Sequence, residues 1–118
     1  MLITASGMVC PVTSTPVTMT PNWTNTTYAW NISSETTPQS LTIGFICGGS
    51  GTGHVPNGFA FTVKDENGMA GTFPISITPD GSDTIDAPGG PAGVSFVLNA
   101  NFESITFQCD SSGNWLVE

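Results

Sequence analysis

In the second half of the chain, apolar side chains recur at every second position, and each such run is cut short by Gly, Asn, Asp or Pro. The run FAFTVKD sets Phe59, Phe61 and Val63 on one side, and FPISITP does the same with Ile75 and Ile77. In SITFQCD, Ile105, Phe107 and Cys109 alternate with Ser104, Thr106 and Gln108. A period of two belongs to a pleated strand with one face buried, and no window carries the 3.6-residue period of an amphipathic helix. Strand-like runs return at about ten-residue spacing with turn residues between them, the pattern of an all-β fold. The sequence therefore predicts a small antiparallel sandwich or barrel, with Phe61, Val63, Ile75, Ile77, Ile85, Phe107 and Trp115 in its core.

The surface of such a fold has to be kept in water by something other than charge. Charged residues make up 8% of the 118 residues, against about 25% in an average soluble domain. Lys64 is the one lysine, there is no arginine, and nine carboxylates bring the net charge to −8. Hydroxyls, amides and glycines take over, a composition that favours strands and tight turns. A phosphate backbone is bound by Lys and Arg displacing its counterions, so nucleic acid is an unsuitable partner, as is an anionic membrane. No run is long enough for a transmembrane helix, and the MLITASGMVCPVTSTP start lacks the basic region of a signal peptide.

Residues 1–20, with prolines at 11 and 16, read as an extended Thr/Pro-rich arm, and residues 21–118 as a single β domain. Three cysteines cannot all pair within one chain and have no metal-type spacing. Cys47 and Cys109 lie in apolar strand patterns, which suits buried free thiols made in a reducing host cytoplasm.

Chemistry-bearing residues are few. The stretch ITPDGSDTIDAPGG holds Asp80, Asp83 and Asp86. An EF-hand loop needs oxygen ligands at its first, third, fifth and twelfth positions, whereas these aspartates fall at the first, fourth and seventh. Pro79-Asp80-Gly81 is turn chemistry, and with Ile85 facing inward, Asp83 and Asp86 face solvent or bind backbone N–H groups. His54 has no nucleophile elbow near it, and GGSGTG at 48–53 lacks the lysine of a phosphate-binding loop. Trp23, Tyr28 and Trp30 form an aromatic group among Asn and Thr. They suit a sugar-stacking platform or, with Tyr28 and Trp30 sharing a strand face, a core or subunit interface. The residues assign no catalytic centre, cofactor or metal.

The series FTVKDENGMAG, PISITPDGSDTID and SITFQCDSSGNW resembles a β-module that recurs in structural proteins of tailed bacteriophages. In that module an Asp-x-x-Gly turn, an Ile/Asp-rich hairpin with Pro and Gly, and a closing strand ending in Trp follow in the same order. The resemblance spans about residues 59–118 and departs from the module at APGGPAG, residues 87–93, where an insertion could form a contact loop. It implies a virion component without catalytic activity. A chain this small, beginning with its own Met and lacking a coiled coil, suits a capsid decoration (cement) protein on the outer head surface. Such a protein clamps copies of the major capsid protein, and a homotrimer is the expected form. Pro11, Pro16, Trp23, Tyr28 and Trp30 are the candidate partner contacts. The alternative is a tail-fibre or spike tip that binds host glycans, for which the aromatic group at 23–30 is the supporting feature.

Overall fold

The computed structural model describes residues 9–12, 17–18, 26–30, 39–44, 46–86, 93, 95–110 and 112–117, with backbone alone for residues 9–12, 17, 26 and 28–30. Twelve strands and no helix are found among them. The strands are β1 (Val9–Val12), β2 (Val17–Thr18), β3 (Thr26–Trp30), β4 (Gln39–Thr42), β5 (Ile46–Cys47) and β6 (His54–Val55). They continue with β7 (Ala60–Asp65), β8 (Ile75–Thr78), β9 (Thr84–Asp86), β10 (Phe96–Leu98), β11 (Ser104–Cys109) and β12 (Asn114–Val117). One sheet has the order β1-β3-β7-β11-β12-β9, the second β10-β8-β4-β2, and β5 with β6 makes a small third.

The protein is all-β, as the alternation requires, but antiparallel pairing is the minority. Only β7–β11, β11–β12 and β8–β10 are antiparallel; the other six ladders among the described residues are parallel. The reason lies in the route of the chain. It passes from the large sheet to the four-stranded one and back, β1 to β2, β3 to β4, β7 to β8, so β3, β4, β7 and β8 each lie beside the strand of the same sheet laid down a circuit earlier, in the same direction. ENG at 66–68 is a turn with Gly68 at φ 73°, as its sequence suggests, yet it joins strands of different sheets rather than closing a hairpin. β11 and β12 do form one: they pair antiparallel with Cys109 opposite Trp115, and Gly113 takes φ 83°.

The arm assigned to residues 1–20 is extended where it is described. Val9–Val12 is the outermost strand of the large sheet, beside β3, and Val17–Thr18 is the outermost strand of the other, beside β4. Pro11, which has no N–H to give, sits on that edge strand, where a ladder tolerates it.

The two sheets enclose one core. All seven residues expected there are buried, joined by Leu41, Ile43 and Leu98. The rings of Phe61 and Phe107 stack with centroids 5.0 Å apart, Trp115 meets Phe61 edge-on at 5.4 Å, and Phe96 of the second sheet stands against Phe107 at 5.9 Å. Phe107 thus ties β7 and the facing layer together. The outer surfaces carry hydroxyl pairs instead: Thr62 and Thr106 lie 2.9 Å apart through their oxygens, and Thr42 and Thr78 lie 3.4 Å apart. Replacing Phe107 with Ala should cost about 3–5 kcal/mol through lost transfer energy and the cavity left behind. Urea unfolding checks this; a cost below about 0.5 kcal/mol, the range of an ordinary surface substitution, would show that the ring is not central to the core.

Candidate functional site

Of the expected partner contacts, Pro11 lies in β1 opposite Ala29 of β3, between the register positions of Tyr28 and Trp30. Tyr28 is in register with Val63 of β7, and Trp30 with Asp65. Backbone pairing thus gathers three of the five candidates at the β1–β3 edge. Pro16 and Trp23 lie outside the described residues, as do the side chains of Pro11, Tyr28 and Trp30.

Two of the three cysteines are not free thiols. Cys47 and Cys109 form a disulfide, with Cα atoms 5.4 Å apart and a sequence separation of 62. The expectation of reduced, buried cysteines fails here because both strand patterns are real, yet the sequence does not reveal that the segment 46–59 folds back across the end of β11. Gly58 N–H donates to Cys109 C=O, and Cys109 N–H donates to Phe59 C=O, both at 2.8 Å.

The aspartates organise the loops. Asp65, which ends β7, is only 1% exposed, and its carboxylate accepts four backbone N–H groups. Asn67 and Gly68 donate to Oδ1 at 3.2 and 3.1 Å, while Ala70 and Phe102 donate to Oδ2 at 2.9 and 3.0 Å. One side chain therefore holds both the 66–71 turn and the 99–103 loop. Asn101 Oδ1 adds a bond from Gly71 N–H at 2.8 Å, and Glu103 Oε1 accepts from Asn99 and Ala100. Sequence reasoning read DENG as a turn but missed its carboxylate as a hub; the Asp-x-x-Gly spacing was the available signal.

In the described part of the 77–90 stretch, residues 77–86, the turn reading holds. Gly81 has φ 57° and Asp83 N–H donates to Asp80 C=O at 3.1 Å. Asp83 itself is buried, and its Oδ2 accepts Cys47 N–H at 2.8 Å, fastening the turn to β5 beside the disulfide. Asp86 lies in β9, half-buried, opposite Leu116. Of the APGGPAG insertion only Gly93 is described, and it exchanges both backbone hydrogen bonds with Ile85 at 2.8 Å. His54 is likewise a structural part: Nδ1 donates to Gly48 C=O at 2.7 Å, and a Cβ on Gly49 would meet that nitrogen at 2.9 Å. The glycine-rich loop wraps a histidine. Among the described residues no three His, Cys, Asp or Glu side chains are grouped to hold a metal, and no helix is long and apolar enough to cross a membrane.

Asp110 shows what such a carboxylate does electrostatically. Partial desolvation works against its ionised form. The hydrogen bonds to Oδ1 from Ser112 N–H and hydroxyl, both 2.9 Å, and from Asn114 N–H at 3.2 Å outweigh it and hold the pKa below the ordinary 3.8.

A different kind of feature stands on the 99–103 loop. Phe102 is 60% exposed and takes φ 63°, the one described non-glycine residue in the left-handed region. Lys64 Nζ donates to its carbonyl at 2.7 Å and lies 5.7 Å from its ring centroid. No protein-family model matches the sequence, and none of the curated proteins matches it either.

Two outcomes follow from this chemistry. The Cys47→Ala/Cys109→Ala double variant should lose about 4 kcal/mol, from the entropy returned to an unfolded chain freed of a loop this long. Paired urea melts of the double variant and the oxidised protein read this directly. Because the folded-state pKa of Asp110 is depressed, its contribution is complete above the unfolded value and is lost as pH falls through the folded one. The stability gap between wild type and Asp110→Asn should therefore be widest near neutrality and close in acid below the ordinary carboxylate range. A gap that stays constant down to about pH 2 would separate the carboxylate's charge from its effect.

Proposed function

We propose that this chain is a structural module of a tailed-bacteriophage particle, mounted on the outer capsid as a decoration (cement) protein that clamps neighbouring copies of the major capsid protein. The observation that carries the reading is the use made of the aspartates. In the three segments that resemble the phage module, Asp65, Asp83 and Asp110 each bind backbone N–H groups. Such carboxylates fix loop shape, which a scaffold needs and a general acid or base cannot spare. The buried Cys47–Cys109 cross-link suits a protein that serves after its particle has left a reducing cell. The hydroxyl pairs on both sheets and the net charge of −8 favour contacts through neutral polar and apolar groups, with the acidic surface turned to solvent. As a homotrimer it would gather three such charges, so screening by salt should strengthen its self-association or leave it unchanged.

The second reading, a tail-fibre or spike tip that binds host glycans, is favoured by one observation, the exposed aromatic residue Phe102. Purified particles separated into heads and tails distinguish the two. A decoration protein stays with the heads at a copy number matching the shell subunits; a tip domain stays with the tails at a handful of copies. Its absence from both fractions would remove the virion reading altogether.

A further inference from the structure

Single exposed apolar residues are ordinary on protein surfaces and need no explanation. Phe102 differs because the chain bears a cost to hold it where it is. A left-handed backbone is strained for a residue with a Cβ, and glycine would sit there without strain. Strain of this kind persists where surrounding structure over-determines it, and it clusters at ligand contacts. Here the over-determination is explicit: Asp65 takes the Phe102 N–H, Lys64 takes its C=O, and Glu103 and Asn101 tie down the loop on either side.

The ring lies flat. A Cβ built on Gly68 would be 2.4, 2.6 and 2.9 Å from Cζ, Cε2 and Cε1 of Phe102. Distances so nearly equal put that point above the distal half of the ring, so one aromatic face rests on the glycine and the ring is held down like a tile. A residue meant to plug a protein pocket projects from its surface and is ringed by further apolar groups. Beside this ring stands Lys64 Nζ, 5.7 Å from its centroid, and the residues next to Phe102 in sequence are the polar Asn101 and Glu103, while Gly68 under the ring is flanked by Asn67 and Met69. Trp30 ends β3 in register with Asp65, which places a second aromatic residue at the same end of the large sheet.

We infer that Phe102 is a stacking platform for a neutral sugar ring. The C–H face of a hexose packs on the open aromatic face, and the amides and Lys64 at the margin meet its hydroxyls. Acidic sugars fit poorly, because Glu66 and Glu103 stand close in sequence to the platform, Lys64 is the chain's one lysine, and the net charge is −8. The assignment does not depend on whether the module is carried on heads or on tails.

The test uses the whole chain, isotope-labelled, titrated with lactose, maltotriose, cellotriose and N,N′-diacetylchitobiose while amide shifts are followed by NMR. At least one sugar should produce saturable shifts confined to residues 66–71 and 99–103. Phe102→Ala should weaken that binding about tenfold or abolish it, and Phe102→Trp should keep it, as expected of a single stacking contact. Phe102→Gly relieves the backbone strain, so it should melt no lower than wild type while losing the sugar. A protein contact is the competing outcome: binding of purified emptied heads that is lost in Phe102→Ala, with no sugar bound by wild type, would overturn the assignment. So would a sharp drop in the melting temperature of Phe102→Gly, which would make the ring a structural anchor, or an absence of saturable shifts with all four sugars.

Discussion

A chain that changes sheets after nearly every strand cannot hold its loops with hairpin ladders, and this constraint shapes the rest of the molecule. In a hairpin the two strands flanking a turn bond to each other and fix its geometry. In the passage from β7 to β8 the flanking strands bond to different partners, so the connection must be held from within. Asp65 does this by accepting N–H groups from two loops at once, and hydrogen bonds to a charged group contribute about 1.5–3 kcal/mol each. Asp83 reaches from its own turn to β5, and the disulfide ties that strand to β11. Short carboxylates and one covalent link thus perform the task that adjacent pairing performs in a meander.

The strand content and the core were legible in the sequence, because period-two alternation is a local property. Phe61, Phe107 and Trp115 could be assigned to the interior from their neighbours alone. Strand direction was not legible. Alternation says which face of a strand is buried but nothing about which strand lies beside it, and a chain of short strands with good turns reads by default as a series of hairpins. The disulfide was hidden for a related reason: Cys47 and Cys109 each look like small apolar residues, and only the long-range fold brings them together. The same holds for Phe102, whose strain and clamp arise from Asp65, Lys64 and Gly68, all more than thirty positions away by the pairing of β7 with β11.

The sparseness of charge on the sheet faces goes together with their hydroxyl pairs. Threonine is both a strand former and a hydrogen-bonding residue, so the Thr62–Thr106 and Thr42–Thr78 pairs satisfy backbone preference and hydration together. A surface built this way needs few long ionic side chains, whose ordering at a contact costs rotamer entropy. It is a surface suited to being covered.

The position of β11 has a consequence for how the protein is made. This strand sits between β7 and β12, with Phe107 in the middle of the core, yet it leaves the ribosome after ten of the other described strands. A nascent chain ending before residue 104 has β7 without its antiparallel neighbour and β9 without its parallel one, and the stacked rings are missing one member. The early strands emerge with apolar faces and unpaired edges that nothing yet covers, the condition in which neighbouring chains associate wrongly. Closure of the sandwich, and with it the oxidation that joins Cys47 to Cys109, must therefore wait until β11 has been made.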